Sequence, residues 1–448
     1  MSDQVRLKKG LNLPIAGAAL CKVTKKVAPG LVAVKPTDFR GMVPRLLVKE
    51  GDSVKAGTAL FADKKNSEMV FCSPVSGTVE AIVRGEKRKL LEVRVKADGR
   101  NDAIKFDVPR ISALDKNGVT ELMLKAGLWP CIKQRPFGTV ADPTAEPKAV
   151  FVSAMNTAPL GADYEFTLMN ELNAVQAGLD ALGKLTSGGV HLSLSAKDYA
   201  GSEFHKLSGV ILHQFDGPHP AGNVGVQINH ISPINKGEVV WTVALPLVAV
   251  IGRFFLNGSY DCSRTIAVAG PAAIRPSYVE APAGVCMKDL AEYFDGGEIR
   301  IVSGDVLSGE EVGSEGFLGF YDDQISVLKE GRYYEMFGWA NPFRGKKFSV
   351  SRAYPAFLRH KLYDMDTNEN GGERPFLMND VYGKVLPMDI YPLYLFKACL
   401  AGDLDKMEQL GIYEVIEEDV ALCEYVCPSK IAVQSIVRKG IELMMKEM

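Results

Sequence analysis

Alternation between apolar and polar positions, broken by glycine turns, is the clearest pattern in the first hundred residues. Short valine-rich runs flank the turns in VKEGDSVKAGTALFADKK (48–65) and SPVSGTV (73–79), and LEVRV (91–95) alternates strictly. A period of two residues places side chains on opposite faces of a strand, so these runs predict β-strands. We therefore expect residues 1–105 to form a β-rich domain.

The periodicity changes after that domain. In GVTELMLKAGLW (118–129) the leucines recur near helical spacing, and the proline-rich ADPTAEPK (141–148) follows. These features predict a helical connector and linker over residues 106–148.

Strands and helices alternate in the next segment. AVFVSAM (149–155), VHLSLS and GVILHQF (209–215) are apolar strands, and ELNAVQAGLDALGKL (171–185) has helical periodicity. The run over 238–256 is predicted to be one buried helix, because its apolar core of about 14 residues is too short to span a bilayer. The alternation predicts a parallel, Rossmann-like α/β domain over 149–257.

The rest of the chain divides into a strand-rich and a helical part. Two strands, a short helix in VCMKDLAEYF and a returning strand indicate a β-grasp (SLBB-like) unit, which QISVLK extends with an added strand to cover 258–357. Helical runs that end at Gly402 and Gly411 predict a C-terminal helical bundle over 358–448. The predicted fold class is therefore multi-domain, α/β and α+β.

Size and charge narrow the classes of function. A chain of 448 residues is too long for one core, and its net charge of −2 gives no indication of nucleic-acid binding. Residues 1–100, however, carry 20 Lys and Arg against 10 Asp and Glu. A local surplus of this size indicates either a solvated basic face or a surface that meets an acidic partner or lipid.

Motifs for common chemistries are missing or incomplete. The N-terminus lacks the apolar core of a signal peptide, so the eight cysteines are expected to be reduced thiols. No P-loop and no GxGxxG occur, and the histidine spacings fit no zinc pattern, so no metal is expected. The glycine cluster GPHPAGNVG leaves two interpretations open, a structural loop or a ligand loop with Gly217, His219 and Gly222.

Two cysteines near the C-terminus are a fragment of an iron–sulfur ligand pattern. Cys423 and Cys427 are four residues apart on a predicted helix, and a proline follows the second. Ferredoxin-type clusters need four thiolates, and the nearest other cysteine is Cys399. We expect buried, structural thiols.

The glycine rhythm of residues 48–79 is also typical of domains that carry biotin or lipoate on a hairpin lysine. The tip here reads DKKNSEM, with Lys64 and Lys65, and lacks Met-Lys-Met or a single central lysine. The second half of such a scaffold is replaced by the basic RGEKRKLLEV. We expect a barrel-sandwich (biotinyl/lipoyl-like) domain without a carrier lysine, and a carrier protein remains an alternative.

These segments, in this order, resemble the A subunits of the bacterial sodium-translocating NADH:quinone reductases. The stretches that carry the resemblance span the chain: KKGLNLPIAG (8–17), VKEGDSVKAGTALFADKK, SPVSGTV, RGEKR (84–88), GLWPCIKQRPF (127–137), FDGPHPAG (215–222), TIAVAGP (265–271), IVSGDVLSG (301–309), FGWANP (337–342), KFSV (347–350), VLPMDIYP (385–392) and EEDVALCEYVCPSK (417–430). That family is related to the flavin-binding peripheral subunits of complex I and of the Rnf complexes, from which this sequence departs at the nucleotide loop and the cluster motif.

The resemblance implies a role inside a larger enzyme. It implies a peripheral subunit on the cytoplasmic face of the bacterial inner membrane, in a six-subunit respiratory translocase that couples NADH oxidation and quinone reduction to sodium export. NADH, flavins and iron–sulfur centres would belong to other subunits, so this chain is expected to bind no cofactor and to be inactive alone. A flavin-dependent NADH dehydrogenase subunit of the Rnf or complex I type is the other alternative.

Quinone is the one ligand that the resemblance connects with this subunit. The connector GLWPCIKQRPF offers flat apolar surface in Trp129 and Phe137 and a donor in Arg135. An apolar body with a few placed polar groups is what a quinone requires of its site. We expect any quinone contact in this chain to involve these residues, with a packed linker as the alternative. The sequence identifies no catalytic residue.

Overall fold

The computed structural model describes residues 4–336, 338, 347–352, 355–358 and 361–447. Of the FGWANP stretch (337–342), every residue except 338 lies outside this description. Within the described ranges the chain forms sheets of seven, six, four and three strands, followed by helices. Across the same ranges, no helix combines the length and the apolar character that a membrane crossing needs.

Two small antiparallel sheets form the barrel-like unit near the N-terminus. One has the order β3-β9-β8-β5 and the other β4-β6-β7. Valines and phenylalanines of alternate positions, such as Val93 and Phe61, are fully buried between them. Lys64 and Lys65 are exposed directly after β6. The strands are β3 (Leu31–Val34), β4 (Pro44–Leu46), β5 (Ser53–Val54), β6 (Ala59–Asp63), β7 (Val70–Cys72), β8 (Gly77–Arg84) and β9 (Leu90–Ala97).

The first two strands of the chain lie outside this barrel. β1 (Gln4–Arg6) pairs in parallel with residues 214–216 of the α/β sheet, and β2 (Leu20–Lys26) pairs in parallel with residues 277–280 of the β-grasp sheet. The N-terminal segment thus connects all three sheet-containing units, although local sequence pattern groups it with the barrel. The predicted domain boundaries stay predictions.

A seven-stranded sheet with the order β1-β14-β13-β12-β15-β10-β11 forms the centre of the α/β unit. Strands β12, β13, β14 and β15 are mutually parallel, and the chain reverses its direction of travel across the sheet between β12 and β15. The elements are α1 (Lys116–Lys125), β10 (Lys133–Arg135), β11 (Thr139–Val140), β12 (Val150–Ser153), α2 (Tyr164–Thr167), α3 (Leu172–Gly183), β13 (Val190–Ser195), β14 (Val210–Asp216), α4 (Val224–Ile231), β15 (Val240–Thr242) and α5 (Leu245–Asn257).

The prediction of one helix over 238–256 is wrong at its start. β15 occupies Val240–Thr242, and α5 begins only at Leu245, with Pro246 in its first turn. Proline fits there because the first helical N–H groups have no partner inside the helix. A fully buried strand and a buried helix are both continuously apolar, so periodicity alone does not separate them.

Helices α3 and α5 cross at glycines. A Cβ atom added at Gly252 would lie 1.7 Å from the carbonyl oxygen of Ala174, and one at Gly178 would lie 2.1 Å from that of Val248. The two backbones are therefore in direct contact, which no larger residue would permit.

The β-grasp unit has a six-stranded sheet in the order β19-β18-β20-β16-β17-β2. QISVLK, predicted to be an added strand, is β20 in the interior of the sheet, between β18 and β16. The predicted helix is a 3-10 helix, Met287–Tyr293. The strands are β16 (Arg264–Ala269), β17 (Ser277–Ala281), β18 (Ile299–Ser303), β19 (Glu310–Glu311) and β20 (Gln324–Lys329).

The C-terminal segment is helical, as the sequence predicts. Its helices share one apolar cluster with residues of β14 and α4, so the bundle packs on the α/β unit. The helices are α6 (Val381–Val385), α7 (Pro392–Ala401), α8 (Leu404–Gln409), α9 (Glu417–Val426) and α10 (Val433–Glu447).

Candidate functional site

A cavity of about 270 Å³ lies at the carboxyl ends of β12 and β15. Ser153 and Thr242 end these two strands and line it from the α/β side. Residues 304, 305, 307–309 and 321–324 of the β-grasp unit line the opposite side, and Glu418 of α9 also lines the cavity. In open α/β sheets, ligands bind outside the carboxyl ends of the strands where the strand order reverses. This cavity occupies that position, between three structural units.

The predicted ligand loop reaches the cavity in part. His219 and Gly222 line it, whereas Gly217 packs against Leu7 of the N-terminal segment. The Nδ1 atom of His219 lies 3.2 Å from the Thr157 hydroxyl, and burial lowers the pKa of His219. The Gly222 N–H donates to the same hydroxyl at 2.8 Å. The loop is therefore held by internal hydrogen bonds at the cavity wall.

The three connector residues predicted to meet quinone are not brought together at one surface. Trp129 is fully buried, donates its indole N–H to the carbonyl of Ala141 at 2.8 Å and packs edge-on against Trp241. Phe137 is half-buried, with its ring centroid 6.0 Å from that of Tyr413. Only Phe137 combines an aromatic ring with partial exposure.

Arg135 joins the connector to the C-terminal bundle. Its guanidinium donates to Asp419 at 2.6 Å and to Glu418 at 2.8 Å, and only 2% of the residue is exposed. Burial acts to lower the pKa of Arg135, but the attraction of the two carboxylates raises it. Gly225 of α4 lies against this pair, since a Cβ there would be 2.4 Å from the guanidinium. Two of the three guanidinium nitrogens of Arg135 therefore donate to these carboxylates, and its role as a donor to quinone stays a prediction.

Lys133 is a site residue that the sequence reasoning missed. It lines the cavity with its Nζ 3.7 Å from the ring centroid of Tyr321, and burial lowers the pKa of its amine. Lys133 and Arg135 are two residues apart in β10, so they project from the same face of the strand. Once Arg135 had been singled out, this period of two could have identified Lys133 from the sequence, because both cations belong to the same connector.

Two further groups at the cavity influence each other's ionisation. Burial raises the pKa of Tyr164 and of Asp323, and the negative charge of Asp323 raises the pKa of Tyr164 further. Asp323 precedes β20 and Tyr164 begins α2, so the two groups come from the β-grasp and α/β units.

The cysteine pair of α9 lies in the core. Cys423 and Cys427 are each 1% exposed, the Tyr382 hydroxyl lies 3.0 Å from the Cys427 sulfur, and burial raises the pKa of Cys423. In the part of the chain that the structure describes, no cluster of three or more His, Cys, Asp or Glu is arranged to hold a metal ion.

Protein-family models of three domains match the sequence of this chain. They are the NqrA N-terminal barrel-sandwich hybrid domain over 5–98, the NqrA second alpha/beta domain over 114–260 and the NQRA C-terminal domain, of SLBB type, over 265–314. They confirm the predicted fold class.

Curated relatives extend the match to nearly the full length. The NqrA protein of the Na(+)-translocating NADH-quinone reductase of Klebsiella pneumoniae subsp. pneumoniae is 40% identical over 95% of this chain and 96% of its own. The corresponding proteins of Yersinia pestis bv. Antiqua and Vibrio atlanticus are each 38% identical, over 97% and 99% of this chain and 98% and 100% of theirs. Among solved structures, an NAD+-reducing NiFe-hydrogenase is a distant match, with a TM-score of 0.39 and 13% identity over 76% of this chain and 62% of that one. The chain belongs to the NqrA family, the A subunits of the Na+-translocating NADH-quinone reductases.

Proposed function

We propose that this chain works as a peripheral subunit of a Na+-translocating NADH:quinone reductase, on the cytoplasmic side of the membrane, and assists quinone reduction without a redox centre of its own. The observation that carries the proposal is the match to NqrA proteins over 95–99% of the chain. The complex, rather than the isolated chain, would be the enzyme, and the remaining subunits would be its partners.

Docking to the membrane subunits would use the basic surface of the barrel. Lys64 and Lys65 follow β6, and Arg84 and residues 87–89 form the turn between β8 and β9. All six side chains are exposed, and none forms an ion pair with another residue in the described ranges. Near an acidic surface each such cation contributes about 1 kcal/mol, so together they would stabilise attachment appreciably.

Charge reversal tests this docking surface. The double variant Lys64→Glu/Lys65→Glu should dissociate from the purified complex at lower salt than the wild type does. The matched control is Lys439→Glu/Lys446→Glu on α10, which changes net charge equally at exposed positions far from the barrel in sequence. Equal salt stability of the two variants would contradict the docking role of the barrel.

Phe137 is the connector residue best suited to face a quinone. Trp129 and Arg135 are buried, and we propose that they position the connector while the Phe137 ring meets the ligand. A photoreactive quinone should label residues 127–137 in the assembled complex, and Phe137→Ala should raise the KM for quinone. Phe357→Ala, which removes an exposed ring elsewhere, is the control. Labelling that spares the connector would refute this part of the proposal.

The absence of a redox centre separates this proposal from a flavin-dependent dehydrogenase. The purified chain should be colourless, without a flavin band and without stoichiometric iron or sulfide. Measurement of the intact mass distinguishes the proposal from a carrier protein. After co-expression with biotin and lipoate ligases, the mass of the chain should stay unchanged. A mass increase that disappears in Lys64→Arg or Lys65→Arg would show a carrier.

A further inference from the structure

The segment that follows β20 has a charge unlike that of the rest of the chain. Residues 336–363 contain six Lys and Arg and no Asp or Glu, although the whole chain has a net charge of −2. Neither Arg352 nor Lys361 forms an ion pair with any residue that the structure describes. These two cations therefore present positive charge at the surface that no described carboxylate compensates.

The fold fixes both ends of this segment and leaves its middle in solvent. At one end, the Lys347 amine lies 3.5 Å from the Asp366 carboxylate. At the other end, Tyr363 is buried, and its N–H donates to the carbonyl of Pro14 at 2.8 Å. Every side chain that the structure describes between residues 350 and 362 is exposed. The segment is thus held at its base while the residues between are available to a partner.

Exposed aliphatic side chains accompany the two cations. Leu358 is 74% exposed, Leu362 60% and Val350 49%. We call these three residues, together with Arg352 and Lys361, the basic–aliphatic segment. Apolar side chains interspersed with lysine and arginine are typical of protein segments that lie in the headgroup region of a membrane. There the apolar groups reach the edge of the acyl chains, and the cations stay with the anionic headgroups.

We propose that the basic–aliphatic segment binds the surface of a bilayer that contains anionic phospholipids. Leu358 and Leu362 enter the boundary between headgroups and acyl chains, and the two cations contact the lipid phosphates. A nucleic acid or an acidic protein surface would match the cations, but it would leave the leucines against polar groups, so the combination favours lipid. This contact is made with lipid itself. It is separate from the proposed docking of the barrel to membrane subunits and does not depend on the quinone contact.

Co-sedimentation of the full chain with lipid vesicles tests the proposal. The chain should bind vesicles of phosphatidylcholine and phosphatidylglycerol more tightly than vesicles of phosphatidylcholine alone, and salt should weaken that binding. Arg352→Gln/Lys361→Gln should weaken it about 10- to 30-fold, because each cation near an anionic surface contributes about 1 kcal/mol. The matched control Lys439→Gln/Lys446→Gln removes the same charge at exposed positions of α10 and should bind like the wild type.

Quenching by brominated acyl chains gives a second readout, because it requires contact with the apolar part of the bilayer. The fluorescence of Leu358→Trp should be quenched by anionic vesicles that contain brominated phosphatidylcholine. Leu20→Trp, at a leucine of β2 that is 72% exposed, is the matched control and should not be quenched.

Three results would overturn the proposal: equal binding to vesicles with and without phosphatidylglycerol, equal binding by the two double variants, or equal quenching of the two tryptophan variants. Binding of a single-stranded oligonucleotide without binding of anionic vesicles would also overturn it and would indicate a nucleic-acid surface. These assays use the purified chain and measure no quinone reduction, so their failure is distinguishable from a failure of the proposed function.

Discussion

Replacing Arg135 with methionine should destabilise the attachment of α9 strongly, because it leaves a buried carboxylate without its cation. Asp419 is 1% exposed, and its second oxygen, Oδ1, has no hydrogen-bond partner among the described residues. After the substitution only the N–H of Ile416, at 3.0 Å, would still donate to it. Removing one partner of a buried ion pair costs about 3–5 kcal/mol.

The effect should depend on pH in a defined direction. Burial raises the pKa of Asp419 in the wild type, and Arg135 opposes that rise, so its removal raises the pKa further. The folded variant then holds the proton more tightly than the unfolded chain, whose aspartate titrates near a pKa of about 3.9. Stability of the variant therefore falls as pH rises from that value through the folded-state pKa. The gap between wild type and variant should be widest at pH 7 and should narrow toward pH 4.

Urea unfolding and hydrogen exchange of the Glu417–Val426 helix measure this effect. A cost of about 3–5 kcal/mol increases the opening equilibrium by about two to nearly four orders of magnitude. Arg135→Met/Asp419→Leu should recover most of the loss, because an apolar pair leaves no uncompensated charge. Lys125→Met, which breaks the surface pair with Glu121, should cause no measurable change. A small, pH-independent loss in Arg135→Met, or a double variant as unstable as the single one, would refute the reasoning.

Three further predictions follow from packing and burial. Gly252→Ala should prevent α3 and α5 from packing and abolish the cooperative thermal transition. The control Gly183→Ala should fold normally, because its Cβ would have no contact closer than 4.0 Å. Normal folding of both variants would disprove the close crossing. Replacing Cys423 and Cys427 with alanine should lower the free energy of unfolding by about 1 kcal/mol or more at each site. Quinone reduction by the assembled complex should stay intact, and loss of activity with normal assembly would instead indicate a redox role. Burial raises the pKa of Asp38 to about 6, so the folded protein holds this proton more tightly than the unfolded chain, and the contribution of Asp38 to stability should fall as pH rises from about 4 to 6. The stability of the wild type relative to Asp38→Asn should therefore fall over that range, and a difference between the two that does not change with pH would contradict this.

The local sequence pattern was sufficient to predict most strands and helices, but it was not sufficient to predict how they pair and pack. The alternating valines predicted the barrel strands, and the helices of the C-terminal bundle followed from their spacing and glycine ends. Pairing of β1 and β2 with distant sheets depends on contacts across about 200 residues or more, which no local period encodes. The strand β15 was missed because burial makes strand and helix equally apolar.

The same distinction applies to the candidate site. The sequence singled out Arg135 as a donor, but its acceptor Asp419 is 284 positions away, so the ion pair could be seen only in the fold. His219 and Gly222 were found because glycine clusters mark loops. Lys133 lies two residues before Arg135 in the same strand, so the period of two could have singled it out, but its position at the cavity is visible only in the fold.

If this chain assists quinone reduction and holds no redox centre, its removal should abolish one activity of the complex and leave another intact. The most direct measurement compares matched preparations with and without it, for NADH-dependent reduction of quinone and of a water-soluble electron acceptor. We predict that the complex without the chain keeps reduction of the soluble acceptor and its full content of flavin and iron, but loses quinone reduction until the purified chain is added back. Undiminished quinone reduction without the chain, or a loss of flavin or iron equal to the amount of chain removed, would contradict the proposed role.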